Sequence, residues 1–154
     1  MRVEAARHEP FAVIMLDLDL FKRVNDERGH RVGDLVLQDL ASILRGSLRV
    51  MDVAARYGGE EFVILLPESS SPEAAAVAER IRRVLDQRKL AVDSHLVRYT
   101  ASFGVAAVSD LEEIGDPMEV VWKADQALLE AKRAGRNQVV TSAALRSSFG
   151  VQRR

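Results

Sequence analysis

Hydrophobic residues follow a strand period in some segments of this chain and a helix period in others. The continuous apolar run at residues 11–16 predicts a short buried strand, which ends at Asp17-Leu18-Asp19. Leucine and isoleucine then recur at helical spacing from residue 35 to residue 48. Apolar runs on both sides of Gly58-Gly59 predict a hairpin, because glycine adopts a positive φ without steric cost.

A second predicted helix follows the hairpin. Ser71 is a candidate cap for this helix, with Pro72 at its first position. The side chains predicted to form its buried stripe are Val77, Ile81, Val84 and Leu85. Residues 97–108 then predict a strand or a hairpin arm.

The remaining residues predict one more helix and one more strand. Asp116-Pro117-Met118-Glu119 begins the helix with a capping-box pattern, and Gly135 ends it. Residues 138–141 predict a short final strand, and the polar tail to residue 154 is expected to be loose. The core order β-α-β-β-α-β predicts an α+β fold with a mainly antiparallel central sheet covered by helices.

Composition narrows the possible functions. At 154 residues the chain is long enough for one domain with a real core, and its net charge of −1 gives no electrostatic case for nucleic acid or an anionic membrane. The absence of cysteine excludes disulfides, thiolate zinc sites and a cysteine nucleophile. No apolar run has the length of a membrane span, and residues 1–4 lack the apolar core of a signal peptide. A cytoplasmic location is expected.

Paired acidic residues are the strongest chemical signal. With a strand period of two, Asp17 and Asp19 project to the same face, which is costly unless a cation or hydrogen-bond donors compensate. The alternative is that one aspartate caps the next helix and the other is solvated. Glu60 and Glu61 follow a Gly-Gly turn that lets a phosphate approach the backbone, and they suit a divalent cation. The alternative there is a solvated hairpin tip.

Ordered motifs over about residues 11–140 closely resemble the GGDEF family of diguanylate cyclases. The motifs are Asp17-Leu18-Asp19-Leu20-Phe21-Lys22-Arg23-Val24-Asn25-Asp26, Gly29-His30, Gly33-Asp34, Arg56-Tyr57-Gly58-Gly59-Glu60-Glu61-Phe62, residues 100–106, residues 124–128 and residues 131–137. Their common order and spacing make the resemblance specific. It implies a palm-like, ferredoxin-like domain at residues 1–142, N-terminally shortened, followed by the tail at residues 143–154.

The resemblance implies that two GTP molecules condense to cyclic di-GMP and pyrophosphate in a two-metal site. Asp17, Glu60 and the carbonyl of Leu18 match the ligands of two Mg²⁺ or Mn²⁺ ions. Glu60 also matches the position that assists deprotonation of the attacking hydroxyl, with Glu61 and Lys22 as further catalytic candidates. Asp19 is a secondary candidate, expected to be structural.

The same resemblance assigns substrate contacts. Asn25 and Asp34 match positions that bind the guanine edge, and an aspartate accepts from guanine N–H groups that adenine lacks. His30 matches a substrate contact, although a packed or capping histidine is an equal alternative. Gly58 and Gly59 complete the substrate site. Lys22, Lys132 and Arg136 match positions that neutralise the triphosphate, and the last two also suit a helix C-terminus.

A second constellation matches the Arg-x-x-Asp inhibitory motif of the family. Arg49 and Asp52 lie at the family's distance before the Gly-Gly turn, and Arg80 matches the arginine that completes this cyclic di-GMP site. The guanidinium fork of arginine suits a guanine edge or a phosphate. A lone Arg-x-x-Asp pattern is otherwise ordinary surface charge.

The sequence departs from the family pattern in one respect, and this departure leaves other functions possible. The Leu-Thr-Gly-Leu-x-Asn-Arg-Arg-like segment typical of the family does not occur in this sequence, so we expect the domain to lack a helix that would cover part of the sheet. We therefore expect an active cyclase that works as a homodimer, normally fused to a sensory or regulatory domain. The alternatives are a catalytically silent module that binds GTP or cyclic di-GMP, and a purely structural dimerisation domain.

Overall fold

We describe a computed structural model at residues 9–111 and 116–149, with side chains to residue 145. In chain order, its elements are β1 (Phe11–Leu18), α1 (Phe21–Arg28), α2 (His30–Ser47), β2 (Val53–Arg56), β3 (Glu61–Pro67), α3 (Ser71–Gln87), β4 (Leu90–Val92), β5 (His95–Val97), β6 (Ala101–Ala107), a 3-10 turn (Val108–Asp110), α4 (Met118–Arg133), β7 (Val139–Thr141) and α5 (Ser142–Phe149). No helix among these residues is long and apolar enough to cross a membrane.

The central sheet confirms the predicted α+β class. Its strand order is β2-β3-β1-β6-β7, in which β1 runs antiparallel to both neighbours and only the β6–β7 pair is parallel. The two short strands β4 and β5 form a separate hairpin that the sequence pattern did not predict. The predicted β-α-β-β-α-β order is present, with α4 and β7 added after it.

Alternate residues of β1 pack against different layers. Ile14 and Leu16 belong to the larger core with α2 and α3, whereas Val13 and Met15 belong to a smaller core with α4. Helix α4 approaches β6 so closely that a Cβ at Gly104 would lie 2.0 Å from the Ala124 carbonyl oxygen, so only glycine fits there. On the α4 side, the edge of the sheet leaves Val53 and Leu65 exposed.

Helix α3 begins with a different cap from the predicted one. The capping residue is Ser70, whose hydroxyl accepts from the backbone N–H of Glu73 while the Glu73 carboxylate accepts from the backbone N–H of Ser70. This reciprocal pair satisfies two helix N–H groups, and it moves the cap one residue before Ser71. Val84 was predicted to be buried but is 41% exposed, because the packed stripe consists of Ala74, Ala78, Ile81 and Leu85.

The segment after β7 is helical where the sequence predicted a loose tail. Helix α5 follows β7 without a gap, and the buried Ser142 hydroxyl donates to the Asp110 carboxylate at 2.6 Å. That carboxylate also accepts from the backbone N–H of Ala107. Residues 150–154 of the predicted tail lie outside the described residues.

Candidate functional site

Two helices form one wall of the candidate site. The backbone turns sharply at Leu20 (φ 53°) directly after β1, which places α1 beside the end of that strand. A cavity of about 330 Å³ lies against α1 and α2. Its lining consists of Phe21, Lys22, Asn25, His30, Asp34, Leu37, Arg56, Gly59 and Glu60. We call Lys22, Asn25, His30 and Asp34 the helical wall, and the structure brings these predicted substrate residues together.

The side chain of Asn25 occupies space that a glycine provides. A Cβ at Gly33 would lie 1.9 Å from the Asn25 side-chain oxygen, so the Gly33-Asp34 pair lets α1 and α2 meet with the amide between them. None of the four side chains of the helical wall makes a hydrogen bond within the described part of the chain. Their polar groups are therefore available to a ligand.

The Gly58-Gly59 turn is closed by hydrogen bonds rather than by unusual glycine conformations, and the backbone N–H groups of Tyr57 and Gly58 both donate to the Glu61 carbonyl oxygen. Neither glycine has a positive φ, which corrects the reason for which the sequence predicted a turn here. The guanidinium of Arg56 donates to the Gly58 and Gly59 carbonyl oxygens at 2.6–3.1 Å. A Cβ at Gly58 would approach a Glu61 carboxylate oxygen to 2.7 Å, so the missing side chain makes room for that acid.

Asp17 is the most buried acid at the end of β1, with 7% of its surface exposed. Burial raises the pKa of the Asp17 carboxyl, the Lys132 ammonium that donates to it lowers that pKa, and the nearby charges of Glu60 and Glu61 raise it again. The register places Asp17 opposite Glu61, and the Leu18 N–H donates to the Glu60 carbonyl oxygen at 3.2 Å. The structure therefore brings the predicted catalytic acids to one sheet end.

Asp19 has its carboxylate occupied by protein donors. It accepts from the Thr100 hydroxyl at 2.7 Å, the Ser102 hydroxyl at 2.6 Å and the backbone N–H of Asn137 at 3.0 Å. A carboxylate with these bonds holds three chain segments together. This arrangement supports the structural role expected for Asp19.

The loop after α4 has an uncommon backbone. Gly135, Arg136 and Asn137 have φ values of 122°, 65° and 45° in succession. A positive φ at a residue other than glycine costs on the order of 1–3 kcal/mol and is maintained only by surrounding bonds. The bond from the Asn137 N–H to Asp19 is one of them. We call Asp17, Asp19, Lys132 and Asn137 the strand wall.

The predicted product-site residues lie together beyond the helical wall. Asp52, whose side chain is 2% exposed, accepts from the Arg49 backbone N–H at 2.8 Å and from its guanidinium at 3.0 Å. Arg80 of α3 donates to the Ser47 carbonyl oxygen at 2.6 Å, two residues before Arg49. A larger cavity of about 630 Å³ extends from Asp34 and Arg56 to Arg49 and Asp52, so it joins both predicted sites.

The acids at the strand end fit a divalent cation in their chemistry. Asp17, Glu60 and Glu61 offer hard carboxylate oxygens, and burial together with the charges of Glu60 and Glu61 keeps the pKa of Asp17 raised in spite of Lys132. Within residues 9–111 and 116–149, no group of three or more acidic, histidine or cysteine side chains is already arranged around a metal-sized gap. A cation would therefore draw these side chains together.

Sequence reasoning missed Asn137, Thr100 and Ser102. Each contacts Asp19 from a segment at least 81 residues away along the chain. Thr100, Ser102 and Asn137 all fall inside the motifs that carry the family resemblance. A resemblance shows that such a position matters without showing which side chain it contacts.

Comparisons with known proteins agree with this geometry. A family model described as diguanylate cyclase, GGDEF domain, matches residues 1–138. The chain is 42% identical over 137 residues to diguanylate cyclase A of Treponema denticola, covering 88% of this chain and 36% of that protein. It therefore spans about a third of that relative's length.

Two solved structures have the same fold. The GGDEF domain of DgcB from Caulobacter crescentus, in complex with c-di-GMP, has a TM-score of 0.81 and 34% identity over 88% of this chain and 79% of that chain. The active GGEEF domain of a diguanylate cyclase from Vibrio cholerae has a TM-score of 0.79 and 32% identity over 87% of this chain and 83% of that chain. The family generally uses Mg²⁺. The chain belongs to the GGDEF family of diguanylate cyclase domains.

Proposed function

We propose that this domain is one half of a diguanylate cyclase that condenses two GTP molecules into cyclic di-GMP. The observation that carries the proposal is that Glu60 lines the same cavity as Lys22, Asn25, His30 and Asp34, and that Asp17 lies close enough to Glu60 for their charges to interact. Acids for phosphoryl transfer thus lie beside polar groups that suit a purine nucleotide.

Asn25 and Asp34 of the helical wall hold the nucleobase in this proposal. The Asp34 carboxylate accepts from guanine N1–H and N2–H₂, and the Asn25 amide contacts the same edge of the base. Phe21 and Leu37, which line the same cavity, supply an apolar surface for the ring. An adenine would leave the Asp34 acceptor without a donor, so the site selects GTP over ATP.

In this proposal the phosphates and the reacting atoms are held by Asp17 and Lys132 of the strand wall, by Glu60 after the Gly58-Gly59 turn, and by Lys22 of the helical wall. Asp17, Glu60 and the Leu18 carbonyl would hold Mg²⁺ or Mn²⁺, which neutralises phosphate charge when bound. Lys22, Lys132 and Arg136 bind the triphosphate. Lys132 already faces the Asp17 carboxylate, so it lies where it can exchange that contact for a phosphate oxygen.

The chemistry forms two phosphodiester bonds. A ribose 3′-oxygen attacks the α-phosphorus of the second GTP, the bond from that phosphorus to the β-phosphate oxygen breaks, and pyrophosphate leaves. Glu60 accepts the proton of the 3′-hydroxyl. The 3′-oxygen of the second GTP then attacks the α-phosphorus of the first, a second pyrophosphate leaves, and the ring is closed. Because each copy of the domain holds one GTP, two copies must face each other as a homodimer.

Product formation tests the proposal directly. The parent domain and Glu60→Gln are incubated with GTP and Mg²⁺ over a series of protein concentrations, and the products are separated by chromatography. We expect cyclic di-GMP from the parent only, with a specific activity that rises with protein concentration. GTP binding without any product would instead favour a catalytically silent binding module.

Product inhibition is the second part of the proposal. Arg49, Asp52 and Arg80 bind cyclic di-GMP, because guanidinium groups and a carboxylate complement guanine edges and phosphates. Calorimetry with cyclic di-GMP should show that Arg49→Ala loses product binding while GTP binding is retained. Arg31→Ala is a matched control, since within the described residues Arg31 pairs with the exposed Asp93 alone. Equal product affinity in parent and Arg49→Ala would remove this site from the proposal.

A further inference from the structure

Asn137 is held at both its backbone and its side chain. Its side-chain oxygen accepts from the Arg82 guanidinium at 3.1 Å, and its side-chain nitrogen donates to the Asp86 carboxylate at 3.0 Å. Its backbone N–H donates to Asp19 at 3.0 Å. Helix α3, which carries Arg82 and Asp86, is therefore hydrogen-bonded to the loop between α4 and β7 from outside the candidate site.

The α3 side of this contact is itself fixed. The Arg82 guanidinium, whose side chain is 18% exposed, binds both Glu79 oxygens at 2.8 and 2.9 Å. Two parallel bonds from a planar guanidinium define its orientation as well as its position. These bonds leave one guanidinium nitrogen directed at Asn137. The contact between Arg82 and Asn137 is thus oriented by the surrounding hydrogen bonds.

The loop needs such a support. Arg136 and Asn137 both have a positive φ, which side chains other than glycine rarely adopt in succession. Without the contacts at Asn137 the loop would relax toward an ordinary backbone conformation. Arg136 directly precedes Asn137 in the loop. Lys132 lies four residues before Arg136, in the last turn of α4. A relaxed loop would therefore change the spacing of the two cations.

We propose that Asn137, which is hydrogen-bonded to Arg82 and Asp86, is a positioning residue that keeps Lys132 and Arg136 at the spacing a triphosphate requires. The inference rests on the proposed function and adds a residue that contacts neither GTP nor metal. It predicts a loss that is specific for the phosphate part of the ligand. A merely structural role would weaken binding of every ligand alike.

The test compares binding of GTP with binding of guanosine. Dissociation constants for both are measured by ¹H–¹⁵N chemical-shift titration of the parent, Arg82→Ala and Asn137→Gly, together with melting temperatures. Asn137→Gly removes the side-chain contacts while it tolerates the positive φ, so any loss comes from the contacts. Tyr99→Phe is the matched control, since it removes one hydrogen bond, to Asp39 of α2, and leaves the contacts of Asn137 in place.

We expect Arg82→Ala and Asn137→Gly, the two loop variants because both remove contacts that hold the loop, to bind GTP roughly tenfold more weakly, which is the lower end of the loss when a residue that orients a metal ligand is removed. Guanosine affinity should stay at the parental value, and Tyr99→Phe should change neither constant. Equal losses for GTP and guanosine, or parental GTP affinity in both loop variants, would overturn the inference while leaving the proposed function intact. A parent that binds no GTP would overturn both.

Discussion

The two walls of the site differ in how much of their structure exists before a ligand binds. On the strand wall every side chain that we name has a protein partner, and Asp19 alone accepts from three donors in two other chain segments. On the helical wall none of the four side chains is hydrogen-bonded within the described residues. Helix α1, which carries two of the four, buries no residue completely.

This difference is consistent with separate roles for the two walls in the proposed function. Phosphoryl transfer depends on precise placement of charge, which a network of hydrogen bonds provides in advance. Recognition of the base depends on polar groups that are free to exchange water for the ligand. Under the proposed function, the strand wall is ordered before the substrate binds, and the helical wall forms its hydrogen bonds only with the nucleotide.

Neutralising the strand wall should have the largest effect. Asp17→Asn is expected to reduce turnover to near the detection limit, because it removes a charged ligand for the cations. Its melting temperature at neutral pH should not fall, because the raised pKa of Asp17 means that its ionised form opposes folding. Turnover by chromatography and unfolding by calorimetry check both expectations. Near-parental turnover at saturating Mg²⁺ would show that Asp17 is not a metal ligand.

Removing an acceptor from the helical wall should cost specificity instead. Asp34→Ala is expected to weaken GTP binding by about 1–3 kcal/mol while ATP binding changes little. Calorimetric titrations with the two nucleotides check this. If both affinities fell equally, Asp34 would be supporting the start of α2 and not reading the base.

A glycine substitution can test the same wall without removing any polar group. Gly33→Ala would push the Asn25 side chain from its place, so we expect weaker GTP binding, by roughly 1 kcal/mol, with the fold retained. Gly46→Ala is the control on the same helix, because a Cβ there meets nothing within 4 Å. It should leave GTP binding unchanged and stabilise α2 by about 0.5–1 kcal/mol. Parental GTP affinity in Gly33→Ala would argue against a role for Asn25.

The smallest predicted effect is a pH dependence of stability. The Arg82 hydrogen bonds lower the pKa of Glu79 from 4.5 to about 2. Because the folded pKa lies below the unfolded one, this contribution is complete above about pH 4.5 and is lost as the pH falls toward 2. Urea unfolding between pH 2 and 6 should show a shallower decline for Glu79→Gln. Parallel curves for the two proteins would contradict the assignment.

The sequence predicted the sheet because its strands have continuous apolar runs, and it predicted the acids because they follow those runs directly. It did not predict α1, whose apolar residues Phe21 and Val24 only partly pack against the core and so produce a weak periodic signal. The contacts of Asn137 depend on a backbone conformation that no residue pattern specifies. The positions of the acids could therefore be predicted from the residues beside them, whereas hydrogen bonds between distant segments, such as those of Asn137, could not.

Amide hydrogen exchange, with and without GTP, tests the contrast between the walls most directly. We predict that residues 132–138 are already protected in the free protein and change little when GTP binds. Residues 21–34 should exchange faster when free and become strongly protected in the complex, because α1 buries no residue on its own. Equal protection of both segments in the free protein, or a larger gain at residues 132–138, would contradict the account.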